Sequence, residues 1–190
     1  MSPILLKRPT AAAWEPIVNR AWQLGVVNAI QLIDRPGLES PTPPDSFLQG
    51  AQSGSSEIAW TLHAKHTLFG AALLWDIRWR SRQATCGLII PGLANLADPN
   101  DQLIPQQQLS AIEVVHHSLH NLARTAFEHL NLHRLTLFVD PASPYMEVFN
   151  DVGFVFEGTL SHHRFEGGVF RDTQVFGILS RDLQPPPLHL

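Results

Sequence analysis

Cysteine, tyrosine and methionine are scarce in this chain of 190 residues, which contains one, one and two of them. A lone Cys86 excludes an intrachain disulfide and argues against the small disulfide-dense scaffolds of secreted proteins. No apolar run approaches the ~18 residues that a membrane span requires, so no membrane partner is expected. Charge is sparse too, at 16% of residues with a net −4, and gives no general attraction to nucleic acid or to an anionic bilayer. The only basic cluster is Arg78, Arg80 and Arg82. The segment 1–10 lacks the long apolar core of a signal peptide, which makes the cytoplasm the expected compartment. A hydrophobic fraction of 44% is that of a soluble globular protein with a core of its own. One domain is expected over 1–183, with a mobile proline-rich tail over 184–190.

The order of elements is legible from periodicity and punctuation. Residues 4–7 read as a short strand stopped by Pro9. Thr10 can cap a helix in which Ala13, Trp14, Ile17, Val18 and Trp22 recur at helical spacing. From 35 to 56 the chain is rich in Pro, Ser and Gly and reads as a loop, with a helical piece near 47–51. Strands are predicted at 58–63, 68–79 and 84–91, the last two joined by a turn at 80–83. Residues 92–105 are polar and read as a loop. Ile112, Val115, Leu119, Leu122, Ala126 and Leu130 then form one apolar stripe, the strongest helix signal in the chain. A strand at 135–139 follows. Ser143 can cap a short helix with Pro144 at its first position and Gly153 at its end. Two final strands, 154–165 and 169–179, meet through Gly167-Gly168, a hairpin signal. Strands on both sides of a central helix, closed by a hairpin, predict an α+β domain around one mixed, mostly antiparallel sheet of about seven strands.

From Arg124 to Leu179 the chain resembles the ribosomal-protein N-acetyltransferase branch of the GNAT family. The residues that carry the resemblance are Ala126-Phe127-Glu128-His129-Leu130-Asn131-Leu132-His133-Arg134-Leu135-Thr136-Leu137, followed by Asp140-Pro141, Gly153-Phe154, Glu157-Gly158 and Arg171-Asp172. Upstream, Phe69-Gly70-Ala71-Ala72, Trp75-Asp76-Ile77 and Ala84-Thr85-Cys86-Gly87 resemble that branch's third and fourth strands. The resemblance implies a GNAT fold and acetyl-CoA as co-substrate. The donor would lie in a V-shaped gap between the strands read at 84–91 and 135–139. Its pantetheine would bond the backbone of Leu88, Ile89 and Ile90. Its pyrophosphate would sit at the start of the central helix, where free N–H groups and the helix dipole favour an anion. The matching segment is Gln108, Leu109, Ser110, Ala111, Ile112 and Glu113, with Ser143 near the acyl end.

Several positions depart from the family pattern. Its pyrophosphate loop carries glycines where Ala111 and Glu113 stand, and no glycine occurs between Gly92 and Gly153. Its general acid, a Tyr four residues before the Gly-Phe pair, is Phe149 here. In this branch a Ser nearer the helix start takes that work, and its position holds Tyr145, either a proton donor or a partly buried aromatic. The Glu of the fourth strand is Thr85, and the Asn at the start of the short helix is Ala142 or Ser143.

Other clusters have plain readings beside functional ones. His116 and His120 are four apart on the helix, yet they sit among Glu113, His117, Arg124 and Glu128 on what reads as a solvated face, and no metal is expected. One of His162 and His163 either borders the acceptor pocket or lies on a plain surface. Glu157 can bond across strands and Asp172 can fix the hairpin. Trp75 and Trp79, at even spacing, would share a sheet face as core, or would line a pocket or a homodimer surface. Cys86, inside a strand, reads as packing rather than as a nucleophile. Two functions follow. One is an acetyltransferase moving acetyl from acetyl-CoA to a primary amine, either a protein N-terminus or a small molecule. The other is a binding module that keeps the fold without the chemistry.

Overall fold

The computed structural model describes residues 4–10, 12–13, 17, 56–95, 100–105, 108–166 and 168–185. Of the helix expected after Thr10, Ala12, Ala13 and Ile17 are described as helical and Ile17 is buried; its other residues, and the helical piece expected at 47–51, lie outside the described residues. The strands are β1 (Ile4–Lys7), β2 (Ile58–Ala64), β3 (Thr67–Arg78) and β4 (Gln83–Ile89). A 3-10 turn at Pro91–Asn95 and a short strand, β5 (Gln102–Ile104), occupy much of the stretch 92–105 expected to be loop, and a second short strand, β6 (Leu109–Ser110), follows it. Helix α1 (Ala111–Glu128), strand β7 (Arg134–Val139), helix α2 (Met146–Val152) and strands β8 (Val155–Glu166) and β9 (Val169–Leu179) complete the order. Seven strands form one sheet in the order β1-β2-β3-β4-β7-β9-β8, and β5 and β6 form a separate pair. Every neighbour in the large sheet is antiparallel except β4 and β7.

Alternation sorts the sheet into two faces. Ala84, Cys86, Leu88 and Ile90 face α1 and join one buried cluster with Leu135, Leu137, Val139, Phe149 and Phe176. Ala71, Leu73, Trp75 and Ile89 are equally buried but stand outside that cluster, on the other face. Trp79 does not share the face of Trp75. Asp76 takes φ 49 at a bulge between Trp75 and Arg78, and Trp79, in the turn beyond it, is exposed.

Helix α1 packs the expected stripe, with Leu119, Leu122 and Ala126 fully buried. Each such Leu is worth about 1.5–3 kcal/mol of transfer free energy. Its supposedly solvated side is only half so, because His116 and His120 are buried as well. The ring of His120 is within 3.0 Å of the Gln184 carbonyl oxygen and stacks on His116 at 6.4 Å. Gln184, the first residue of the expected mobile tail, also donates its amide to the Val152 carbonyl at 3.1 Å.

Helix α2 starts later than proline placement suggests. Tyr145 is its N-cap and makes no side-chain cap; the Ser143 hydroxyl accepts the Tyr145 amide at 3.4 Å instead. Gly153 ends the helix at φ 110, and a Cβ there would collide with the Asp182 carbonyl.

Candidate active site

The one parallel junction in the sheet is also a short one. β4 and β7 pair only through Gln83↔Arg134, Ala84↔Leu135 and Thr85↔Thr136, although β4 runs on to Ile89 and β7 to Val139. Beyond Thr85 and Thr136 the strands part. Cys86–Ile89 pairs on its other side with β3, and Leu137–Val139 pairs on its other side with β9. Their facing edges therefore have no ladder partner, and the backbone groups there must turn to water or to a ligand. Leu88, Ile89 and Ile90, along this edge of β4 and just beyond it, are each at most 2% exposed. The close approach of β3 holds this edge in place: a Cβ on Gly70 would lie 2.5 Å from the Ile89 carbonyl oxygen.

Tyr145 belongs to the same buried cluster as Leu88, Ile90 and Val139, the residues at the open ends of the two strands. It is 3% exposed, and burial raises the pKa of its phenol above the ordinary value, so the group keeps its proton. Ser143 is buried beside it in the same loop. Cys86 is fully buried, and desolvation pushes its thiol well above the usual range, which removes it as a nucleophile.

On the face away from α1, Arg134 and Glu157 form an ion pair lying over Gly177, where a Cβ would meet both. Arg164 pairs with Asp140. Asp172 accepts the His162 amide at 2.8 Å, pinning a bulge in which His162 takes φ 52. That bulge separates the two histidines: His163 stacks on Phe138 of β7 at 5.9 Å, next to the opening, whereas the His162 backbone is spent on the hairpin.

The head of α1 is built as a closed cap. Ser110 is the N-cap, its hydroxyl accepts the Glu113 amide at 3.3 Å, and the Glu113 carboxylate accepts the Ser110 amide at 2.8 Å. Ala111 is fully buried and donates its amide to the Asp101 carbonyl at 3.1 Å. Gln108, exposed at φ 54, makes the turn that leads in, and Leu109 is buried behind it. The two positions where the family resemblance calls for glycine are thus the first and third residues of the helix. The pattern Ser110-x-x-Glu113 before an apolar run is the signal for this cap, and a reading of the segment as a phosphate loop overlooks it. The helix head, where the resemblance implies a pyrophosphate, thus holds the Glu113 carboxylate.

A cavity of about 650 Å³ lies at the other end of α1, lined by Arg8, Ile58, Trp60, Thr125 and His129 among others, and none of the expected site residues lines it. Among the described residues no cluster of His, Cys, Asp or Glu is arranged to hold a metal ion, and no helix is long and apolar enough to cross a membrane.

No family model and no curated protein matches this sequence. Solved structures do. Spermidine N-acetyltransferase from Vibrio cholerae, in complex with CoA and spermine, superposes with a TM-score of 0.70 at 19% identity, covering 94% of this chain and 96% of that one. A dodecameric structure of that enzyme gives 0.68 at 21%, over 93% and 94%. A chimera built on it gives 0.69 at 22%, over 95% and 97%. The fold of this chain is therefore the GNAT fold of N-acetyltransferases, an α+β architecture with a seven-stranded mixed sheet.

Proposed function

We propose that this chain is a GNAT-type N-acetyltransferase that moves the acetyl group of acetyl-CoA to a primary amine, on a small molecule or at a protein N-terminus. The observation that carries the reading is the parting of β4 from β7 beyond Thr85 and Thr136, which leaves two unpaired backbone edges facing one slot. A donor arm lying along β4 can add to that edge as a strand does, through amide–backbone hydrogen bonds. A β4 N–H aimed at the thioester oxygen would stabilise the charge that develops there. The amine nitrogen attacks the thioester carbon, the C–S bond breaks, and the thiolate takes a proton from a nearby acid. Tyr145 fits that role, because burial keeps its phenol protonated. His163, held against Phe138 beside the slot, fits the role of accepting the proton that the amine sheds.

The Vibrio cholerae neighbour is named for spermidine, and its complex contains spermine, so a polyamine is one acceptor class to test. The resemblance of residues 124–179 to the ribosomal-protein branch makes a protein N-terminus the other. The glycine-free loop is in keeping with an altered donor grip rather than a lost one. The cytoplasm follows as the compartment in which such a donor is at hand. A homodimer is part of this reading as well: β8 is an edge strand, and Phe156, Phe165 and Phe170 on the hairpin are each about half exposed or more.

The test is acetyl transfer by the purified chain, followed as thiol release from acetyl-CoA, with spermidine and with a short peptide bearing a free N-terminus. Turnover with either amine supports the reading. No turnover, together with no calorimetric binding of acetyl-CoA at millimolar concentration, overturns it in favour of a binding module on the same fold.

A further inference from the structure

We infer that this chain grips its acyl donor by the pantetheine arm and not by the pyrophosphate, with Glu113 standing as a built-in competitor at the place where the phosphates would go. The inference rests on the acetyltransferase reading above and concerns which part of the donor is recognised.

Four observations converge. Three of the amides at the head of α1 are in use: Ser110 N–H goes to the Glu113 carboxylate, Glu113 N–H to the Ser110 hydroxyl, and Ala111 N–H to the Asp101 carbonyl. Ala111, in the place of a glycine, is fully buried, so its backbone cannot come up against a phosphate. The charge that the helix dipole favours at this end is already supplied by Glu113. Finally, no Lys or Arg occurs between Arg82 and Arg124, whereas Asp98, Asp101 and Glu113 do. From the open edge of β4 to the head of α1 the sequence thus supplies carboxylates and no Lys or Arg to meet an anion. The slot between β4 and β7 carries no such obstacle, since its facing edges are backbone. The ligand class that fits is a thioester of a pantetheine arm, whether that arm ends in a nucleotide or on a carrier protein.

A pyrophosphate seated on an open helix head gains up to about thirtyfold in affinity from amides and dipole. Here that gain is already taken by an internal carboxylate. Replacing Glu113 by Gln is the discriminating change, because Gln at the third helical position still completes the capping box while losing the charge.

The experiment measures kcat/KM and calorimetric affinity for acetyl-CoA and for acetyl-pantetheine, with wild type and E113Q, and adds an acetylated carrier protein as a third donor. The expected result is that removing the nucleotide costs wild type less than about thirtyfold, and that E113Q tightens acetyl-CoA at least about fivefold while acetyl-pantetheine is unchanged. A carrier-protein donor that outruns acetyl-CoA identifies the source of the arm; one that does not leaves the nucleotide form as the source, and both fit the inference. A larger loss on removing the nucleotide, or an E113Q effect equal for both small donors, overturns it while leaving the acetyltransferase reading intact. Failure of every donor with both proteins overturns that reading as well. E113Q should lower the thermal midpoint by no more than about 4 °C, the loss of the charge–dipole interaction alone, which separates a binding effect from misfolding.

Discussion

Gly70→Ala tests whether the open edge of β4 is set by its contact with β3. A Cβ at position 70 would stand 2.5 Å from the Ile89 carbonyl oxygen, 3.0 Å from the Ile90 side chain and 3.4 Å from its Cα. Ordinary carbon–oxygen contact begins near 3.4 Å, so the end of β4, beyond its pairing with β7, must retreat by most of an ångström. The group in the way is mainly backbone, which cannot rotate aside, and overpacking of this kind costs about 1–3 kcal/mol. For a domain of this size that lowers the thermal midpoint by roughly 2–12 °C. Gly168→Ala is the matched control: that residue has φ 82 and nothing within 4 Å of its Cβ, so it carries only the left-handed backbone cost of about 1 kcal/mol. Melting curves by circular dichroism compare the two, and donor affinity is measured on each. The expected outcome is a lower midpoint for Gly70→Ala than for Gly168→Ala, with donor affinity reduced only in the former. A Gly70 variant that melts with the control and binds donor like wild type would refute the claim that this contact sets the slot.

Three further outcomes are expected. Tyr145→Phe should lower kcat by about a hundredfold or more with little change in KM, as for loss of a general acid; a fall of less than threefold removes Tyr145 from the chemistry. Burial lowers the pKa of His120, so the unfolded chain holds the extra proton. Stability should therefore be full above the ordinary His value of about 6.5 and decline as pH falls below it, and His120→Gln should flatten that decline in urea titrations at stepped pH. An unchanged acid slope would show that His120 does not drive it. Phe165→Ser with Phe170→Ser removes the exposed aromatic pair, whose rings lie 5.1 Å apart near the hairpin turn, and should shift the mass seen by light scattering from dimer to monomer; an unchanged mass places the contact elsewhere.

The strands and the central helix were legible because each repeats one period over many residues: Leu135, Leu137 and Val139 alternate, and Leu119, Leu122 and Ala126 keep helical spacing. The hairpin was legible from Gly167-Gly168. What escaped depended on pairings distant in sequence. His120 looks solvated on a helical wheel and is buried because Gln184 returns from the far end of the chain to meet it. Trp79 parts from Trp75 through a bulge at Asp76 that no spacing rule reveals. The two strands and the helix head that the resemblance assigns to a donor are present as β4, β7 and α1. The resemblance puts Ser110 and Glu113 in a phosphate loop, although their own spacing specifies a helix cap. The separation of β4 from β7 has no local signature, because it is a property of how far two strands stay paired.

The outer strand β8 has a further consequence. Its pairing with β9 slips between Phe156 and Gly158 and again between Leu160 and Arg164, so the sheet margin is cut into short, differently twisted runs. A neighbouring molecule can zip onto any one run but cannot continue along the whole margin. Continuous edge-to-edge pairing along the whole margin is thereby discouraged, even though exposed Phe156, Phe165 and Phe170 lie near it.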